Sequence, residues 1–363
     1  MKKIDRRQFL AVSGALCAAA ALSACGAAAS TAASSAAASA AASPTAASAG
    51  SASAASQAAY TAWPTTKNVE MVVPASAGGG TDMLCRLLTT WLTTNLPQSN
   101  WVVNNLTDGN GTVGFEKVRN GAKDGSELLY FHTGMLIKQI IGAYSGDLLN
   151  DFDVVNIFYN SDDVGQVLCV RASSDWKTID DFVTYCKANA GKVIAGIENG
   201  SAGQFQTAEF MQSAGIELRV VDAGSASERV SSLLGSHIDC TFLPGNSALQ
   251  YEQSGDFRLL GMACETQSKS YPTIPAMGDL GYHDIDVPTI TFIAAPKGTD
   301  SAILGDIDHM IEQYMNDDAA MADFIKANQL SENYYEYVER DWAIQYLTDF
   351  YTKLQSAGKL LGY

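Results

Sequence analysis

The sequence predicts an α/β fold with two mainly parallel sheets. Three observations carry this. From about Tyr60 onward, β-branched runs alternate with amphipathic helical patterns, the order that joins parallel strands through crossover helices. Two of the strand-to-helix joints are loops of small residues, one running from Ser76 to Asp82 and one from Asn199 to Gly203. The roughly 300 residues after Tyr60 are more than one ordinary core needs and suit two. A ligand of such a molecule belongs in the crevice where the carboxyl ends of the two sheets face each other.

The chain begins with Lys2, Lys3, Arg6 and Arg7 ahead of an apolar stretch over 9–22, the layout of an export signal and too short for a good membrane span. Arg6-Arg7-Gln8-Phe9-Leu10 reads as a twin-arginine pattern, the alternative being a Sec signal that carries two arginines. Leu22-Ser23-Ala24-Cys25 resembles a lipobox, the alternative being plain cleavage near Ala24. On the first reading residues 1–24 are the signal peptide, and Cys25 is lipidated and tethers the chain to the outer face of the cytoplasmic membrane. Residues 27–59 are almost entirely Ala, Ser, Thr and Gly and carry no charge, so 25–59 is expected to be a disordered tether.

The folded part opens with a strand over 69–73, a proline, and the loop Ala75-Ser76-Ala77-Gly78-Gly79-Gly80. Thr81 and Asp82 then start a helix whose apolar side is Leu84, Leu87, Leu88 and Trp91. Strand, glycines and helix N-terminus make a cup of N–H groups at the positive end of a helix dipole, which suits an anion. An unoccupied tight turn is the alternative. The absence of a following Lys excludes a phosphate-binding P-loop, and three adjacent glycines do not match the spaced dinucleotide pattern.

Strands are expected next over 101–103, 128–131, 154–159 and 166–170, with a helix over 115–120 after a glycine-studded segment. Thr178 and Asp181 form a capping box for the helix that follows. The opening logic then repeats: a strand over 192–197, the loop Glu198-Asn199-Gly200-Ser201-Ala202-Gly203, and a helix over 204–214. Strands over 218–221, 238–242 and 257–263 alternate with helices over 226–234 and 248–253. The second of these strands empties into Pro244-Gly245-Asn246-Ser247. A strand over 291–295 and helices over 301–315, 319–328 and 341–357 close the chain. Crossings near Gly165 and Val287 divide this into lobe 1, 60–165 plus 288–363, and lobe 2, 166–287.

The net charge is −16, and residues 1–24 contribute four bases and one acid, so the remainder sits near −19. Nothing basic tracks phosphates, which excludes nucleic acid as a partner. A site for an anion must therefore be built locally. Cys85, Cys169, Cys186, Cys240 and Cys264 sit in apolar patterns without metal spacing, so buried thiols are expected and no metal or cofactor. No Gly-x-Ser-x-Gly elbow or HExxH occurs, so the parts of a hydrolase are missing and no enzyme is expected.

Several segments in order carry a resemblance. They are Val73-Pro74-Ala75-Ser76-Ala77-Gly78-Gly79-Gly80-Thr81-Asp82, Val102-Val103-Asn104 leading to Gly114, Lys123-Asp124-Gly125-Ser126-Glu127, Lys187 to Lys192, Leu233-Leu234-Gly235-Ser236-His237-Ile238-Asp239, and Tyr271-Pro272-Thr273-Ile274-Pro275. Together they resemble the receptors of tripartite tricarboxylate transporters, the Bug or TctC proteins. The resemblance implies a bilobal, type II periplasmic-binding-protein-like fold with a hinge. It also implies closure on a small organic anion; joined to the lipobox reading, the expectation is a lipid-anchored monomer that delivers the anion to permease subunits in the membrane. The alternatives are a co-receptor for a sensor kinase and a secreted hydrolase.

In that family loop amides and hydroxyls hold carboxylates. Carried onto this chain, the ligand-binding residues are Ser76, Ala77, Gly78, Gly79, Thr81 and Asp82 from the first loop, and Asn199, Gly200 and Ser201 from the second. Thr133, Gly224 and Asn246 are added as further walls. For each the alternative is ordinary turn, cap or backbone chemistry, and for Asp82 a first-turn acid that steadies the helix. His132 lies at a strand end near the pocket, with a structural role expected. Two departures bear on the ligand: Ser76 stands where the family often has Phe or Tyr, and Asn105 to Gly111 lacks the family's Arg and Pro.

Overall fold

The computed structural model describes residues 60–363 apart from Thr61, Thr65, Asp163, Gln329 and Ser331. The signal peptide, Cys25 and the tether lie outside the described residues.

The first sheet contains β1 (Asn68–Val73), β2 (Asn100–Asn105), β3 (Glu127–His132), β4 (Phe152–Asn160), β10 (Thr291–Pro296) and the two-residue β11 (Tyr335–Glu336). Their order is β11-β4-β10-β3-β1-β2. The second sheet holds β5 (Val167–Arg171), β6 (Ile194–Ile197), β7 (Arg219–Asp222), β8 (Cys240–Leu243) and β9 (Phe257–Met262), in the order β7-β6-β8-β5-β9.

The expectation of mainly parallel sheets needs correction, because both sheets are mixed. β1 pairs in parallel with β2 and β3, and β6 with β7 and β8. β10 runs antiparallel to β3 and β4, β11 to β4, and β5 to β8 and β9. The cause is connectivity. A crossover helix returns the chain to the amino edge of its sheet and yields a parallel neighbour. β5 and β10 instead follow segments that pass from one sheet to the other. They enter at the carboxyl edge and run back against their neighbours.

Central strands of the first sheet are buried on both faces, which is why they read as continuous apolar runs. Met71, Val73 and Tyr130 face a core with Leu88 of α1 (Gly80–Asn95), Tyr314 of α9 (Ser301–Met315) and Phe324 of α10 (Asp318–Ala327). On the other side Val72, Leu129 and Phe131 meet Phe115 of α2 (Thr112–Arg119) and Leu347 of α11 (Arg340–Leu360). The second sheet is covered by α5 (Ile179–Ala188), α6 (Ala202–Ala214), α7 (Ala226–Leu234) and α8 (Gly245–Gln253). Thr178 caps α5 with the expected box: its hydroxyl accepts from the Asp181 N–H and Asp181 accepts from the Thr178 N–H.

Two short helices add to the sequence reading, α3 (Gly134–Ile140) and α4 (Leu148–Asp151). No helix among the described residues is long and apolar enough to cross a membrane. The five cysteines of this region are buried and carry no disulfide.

Candidate functional site

The first loop is built as expected from β1 into α1, and two of its N–H groups are taken up by the chain itself. The Gly78 N–H donates to Oδ2 of Asp82 at 2.8 Å, and the Gly79 N–H to the Ser76 carbonyl at 3.0 Å. Arg86 Nε donates to the same Oδ2 at 2.9 Å, and Asn105 Nδ2 to Oδ1 at 2.9 Å. Asp82 is buried, which opposes its charge, yet the bonds from Arg86, Gly78 and Asn105 outweigh burial and hold its carboxyl below the ordinary value. Asp82 thus turns back on its own loop and is held there by these three donors.

Ala77, Gly78 and Asp82 line an open surface groove with Met83, Arg86 and Thr90, apart from the cavity described next. Ser76 is exposed, and Gly79 and Thr81 are half-buried in the turn into α1.

The cavity between the two sheets has a volume of about 360 Å³. From the first sheet come Pro74 and Ala75 after β1, His132 at the end of β3 and Thr133 just beyond it, Lys138 of α3, and Asn110. From the second come Gly200, Ser201 and Ala202, and the crossing segments add Gln166, Pro288 and Thr289. Asn110 reaches this wall because Gly109, Asn110 and Gly111 all have left-handed φ, at 59°, 57° and 89°. A side chain at Gly111 would put its Cβ 2.9 Å from the Pro74 carbonyl, so only glycine lets this loop lie against the first one.

Individual groups are committed to different degrees. The Thr133 hydroxyl donates to the Pro288 carbonyl at 3.0 Å and accepts from the Ile290 N–H at 3.1 Å, stitching β3 to the returning crossing. The Gly200 N–H donates to Oε1 of Gln204 at 2.7 Å. Ser201 Oγ caps α6 by accepting from the Gln204 N–H at 3.3 Å, and its own O–H finds no acceptor among the described residues.

His132 stacks on Phe131, and its Nδ1 accepts from the Gly134 N–H at 3.0 Å. Burial, aided by the charge of Lys138, pushes its pKa down to about 4. The ring is therefore neutral at pH 7, and with Nδ1 accepting, its proton sits on Nε2. Lys138 is half-buried; burial draws its ammonium below the ordinary value, while Glu198 across the cleft pulls the other way.

Asn199, Gly224 and Asn246 do not line this cavity. Asn199 Nδ2 and the Gly224 N–H both donate to Asp222, at 2.8 and 3.1 Å, closing the ends of β6 and β7 on each other. Asn246 borders a second cavity of about 560 Å³. The two cavities share Gln166, Pro288 and Thr289 as walls. Among the described residues no cluster of three or more His, Cys, Asp or Glu could hold a metal ion.

A family model described as tripartite tricarboxylate transporter family receptor matches residues 84–349. The chain belongs to that receptor family. A twin-arginine translocation signal model matches residues 3–23, marking this receptor for export. Protein BugT of Bordetella pertussis is 26% identical over 260 residues, covering 70% of this chain and 78% of its own. A TctC solute binding protein from Polaromonas, solved with no ligand, superposes with a TM-score of 0.68 at 23% identity, covering 81% of this chain and 98% of that one. Rpa4515 of R. palustris, solved with adipate, gives 0.65 at 19% identity, with 83% and 98% covered. The fold is thus the bilobal one of periplasmic binding proteins, and the family is one of solute receptors and not of enzymes.

In this receptor the sequence reading missed Asn110, Lys138, Gln166 and Thr289 on the cavity wall. One signal was available: Lys138 is the lone charge in the apolar run Met135-Leu136-Ile137-Lys138-Gln139-Ile140-Ile141.

Proposed function

We propose that this receptor binds a small organic acid as its carboxylate in the 360 Å³ cavity and hands it to membrane permease subunits, held at the outer face of the membrane by lipidated Cys25. The observation that carries the reading is the cavity's lining. It offers N–H, O–H and amide donors and contains no Asp or Glu, in a chain whose net charge is −16. A carboxylate gains donors there and has no acid in the wall itself. The binding of adipate by a protein of the same fold supports the ligand class.

Ser201 is the contact we assign with most structural support, through its uncommitted O–H. Gly200 lets the second lobe come close: its φ is 72°, and a Cβ there would lie 2.7 Å from Ile141. Ser76, Ala77, Gly78, Gly79, Thr81 and Asp82 hold Pro74 and Ala75 in the wall from behind. Thr133 fixes the hinge, and Asn199 and Gly224 shape the second lobe's rim. Residues 60–165 with 288–363 and residues 166–287 close as two bodies about the crossings, as a monomer.

A thermal-shift screen of mono-, di- and tricarboxylates and acidic amino acids tests this. At a concentration of about 100 times Kd, a ligand of the folded state adds about 2.7 kcal/mol of stability. At least one acid is expected to raise the melting temperature in a dose-dependent way. A screen in which no acid does so, while neutral analogues do, overturns the proposal.

A further inference from the structure

We infer that Lys138 is the counter-ion for the ligand's carboxylate, that His132 Nε2–H is its companion donor, and that the cavity selects acids carrying a single negative charge. This rests on the cavity being the ligand site.

Lys138 is the one Lys, Arg, Asp or Glu among the residues lining the cavity. Among the described residues no carboxylate lies within ion-pair distance of its ammonium. Glu198, which acts on it through space, is instead 3.5 Å from Arg229. A half-buried ammonium without a partner is an expense the fold has no structural reason to keep, since α3 is otherwise packed by Met135, Leu136 and Ile137.

His132 complements it. The Gly134 N–H fixes Nδ1 as an acceptor, which leaves Nε2–H with no acceptor among the described residues. The residue thus stands on the cavity wall beside Lys138 as a neutral donor. The remaining lining is uncharged, being apolar at Pro74, Ala75, Phe131 and Ile137 and polar at Asn110 and Ser201.

Charge balance then decides the class. One carboxylate is neutralised by one ammonium. A second carboxylate on the same ligand would lose water to neutral donors only, inside a strongly acidic protein. Acids with one carboxylate and an uncharged body are therefore favoured over dicarboxylates of the same length.

The test is calorimetric titration of the wild type with straight-chain monocarboxylates of three to eight carbons, the dicarboxylates of equal carbon number, and the matching amides. The best monocarboxylate is expected to bind at least ~10-fold tighter than its dicarboxylate partner, with no heat from the amide. Lys138→Met should lose about 10- to 100-fold in affinity, the range for a charge-assisted hydrogen bond. Lys138→Arg should stay within a few-fold, and the melting temperature without ligand reports that both variants fold; Lys138→Gln substitutes if Met does not.

A dicarboxylate that binds tighter than every monocarboxylate overturns the selectivity. Unchanged affinity in Lys138→Met and Lys138→Gln overturns the role of Lys138 and leaves the receptor reading standing. Binding of amides in preference to acids removes the receptor reading as well.

Discussion

Replacing Asp82 by alanine separates scaffold from ligand contact at the loop that most resembles an anion cup. The change removes the acceptor of three hydrogen bonds, from Gly78 N–H, Arg86 Nε and Asn105 Nδ2, at 2.8, 2.9 and 2.9 Å. The Arg86 side chain is 51% exposed, so water takes over much of its share and that pair contributes little. Asn105, which keeps the Ala75 carbonyl at 3.0 Å, and the Gly78 amide each lose a charged acceptor beside a hole the size of a carboxylate, at about 1–3 kcal/mol together, and lost packing brings the total to about 2–4 kcal/mol. At about 2.1 cal/mol/K of unfolding entropy per residue over roughly 300 folded residues, each kcal/mol is worth about 1.6 °C, so a fall of roughly 3–6 °C in melting temperature is expected by circular dichroism. Asp82→Asn keeps the volume and should hold affinity for any bound acid within about threefold. An unchanged melting temperature with binding lost in both variants would show that Asp82 touches the ligand and is not scaffold.

Three further outcomes follow from the same geometry. Glu209 is buried on α6, and burial first, then Asp286 and Asp284, push its pKa from 4.5 to about 8 against the pull of Lys353. A carboxyl raised on folding stabilises fully below 4.5 and ceases to do so as pH rises through about 8, so Glu209→Gln should melt higher than wild type at pH 8, by on the order of 3 kcal/mol, and nearly equal it at pH 5; a constant offset across that range would refute the assignment. Gly165 lies on a crossing where a Cβ would sit 1.8 Å from the Ala263 carbonyl, so Gly165→Ala should cost about 1–3 kcal/mol in chemical denaturation, and a neutral result would mean the two segments part easily. Thr133→Val removes the acceptor for the Ile290 N–H and should cost about 1–3 kcal/mol, recovered by Thr133→Ser.

Much of the fold was legible because its signals are local. The runs at β1, β3 and β10 are apolar on both faces, and the Thr178 box and the start of α7 at Ala226 follow from residues within one turn. Strand direction was not legible for β5 and β10, since it depends on which sheet the chain has just left. The helix α3 escaped because Met135-Leu136-Ile137 shows neither period two nor a cap, and β11 is two residues long.

The site divides in the same way. The loops after β1 and β6 announce themselves through small residues, and both reach the cavity, through Ala75 and through Gly200 and Ser201. That Asp82 turns back on its own loop is a matter of side-chain placement that the pattern Gly78-Gly79-Gly80-Thr81-Asp82 does not encode. Lys138 and Asn110 come to the wall from segments with no glycine-loop signature around the charge or with an unusual run of left-handed residues, features that acquire meaning only in three dimensions.

The most direct test of the central claim is a crystal structure of the receptor with the tightest-binding acid of the thermal screen. The ligand is expected in the 360 Å³ cavity, its carboxylate against Lys138, His132 and Ser201. A ligand seated instead in the groove of Gly78 and Asp82, or in the second cavity beside Asn246 and Asp162, would contradict it.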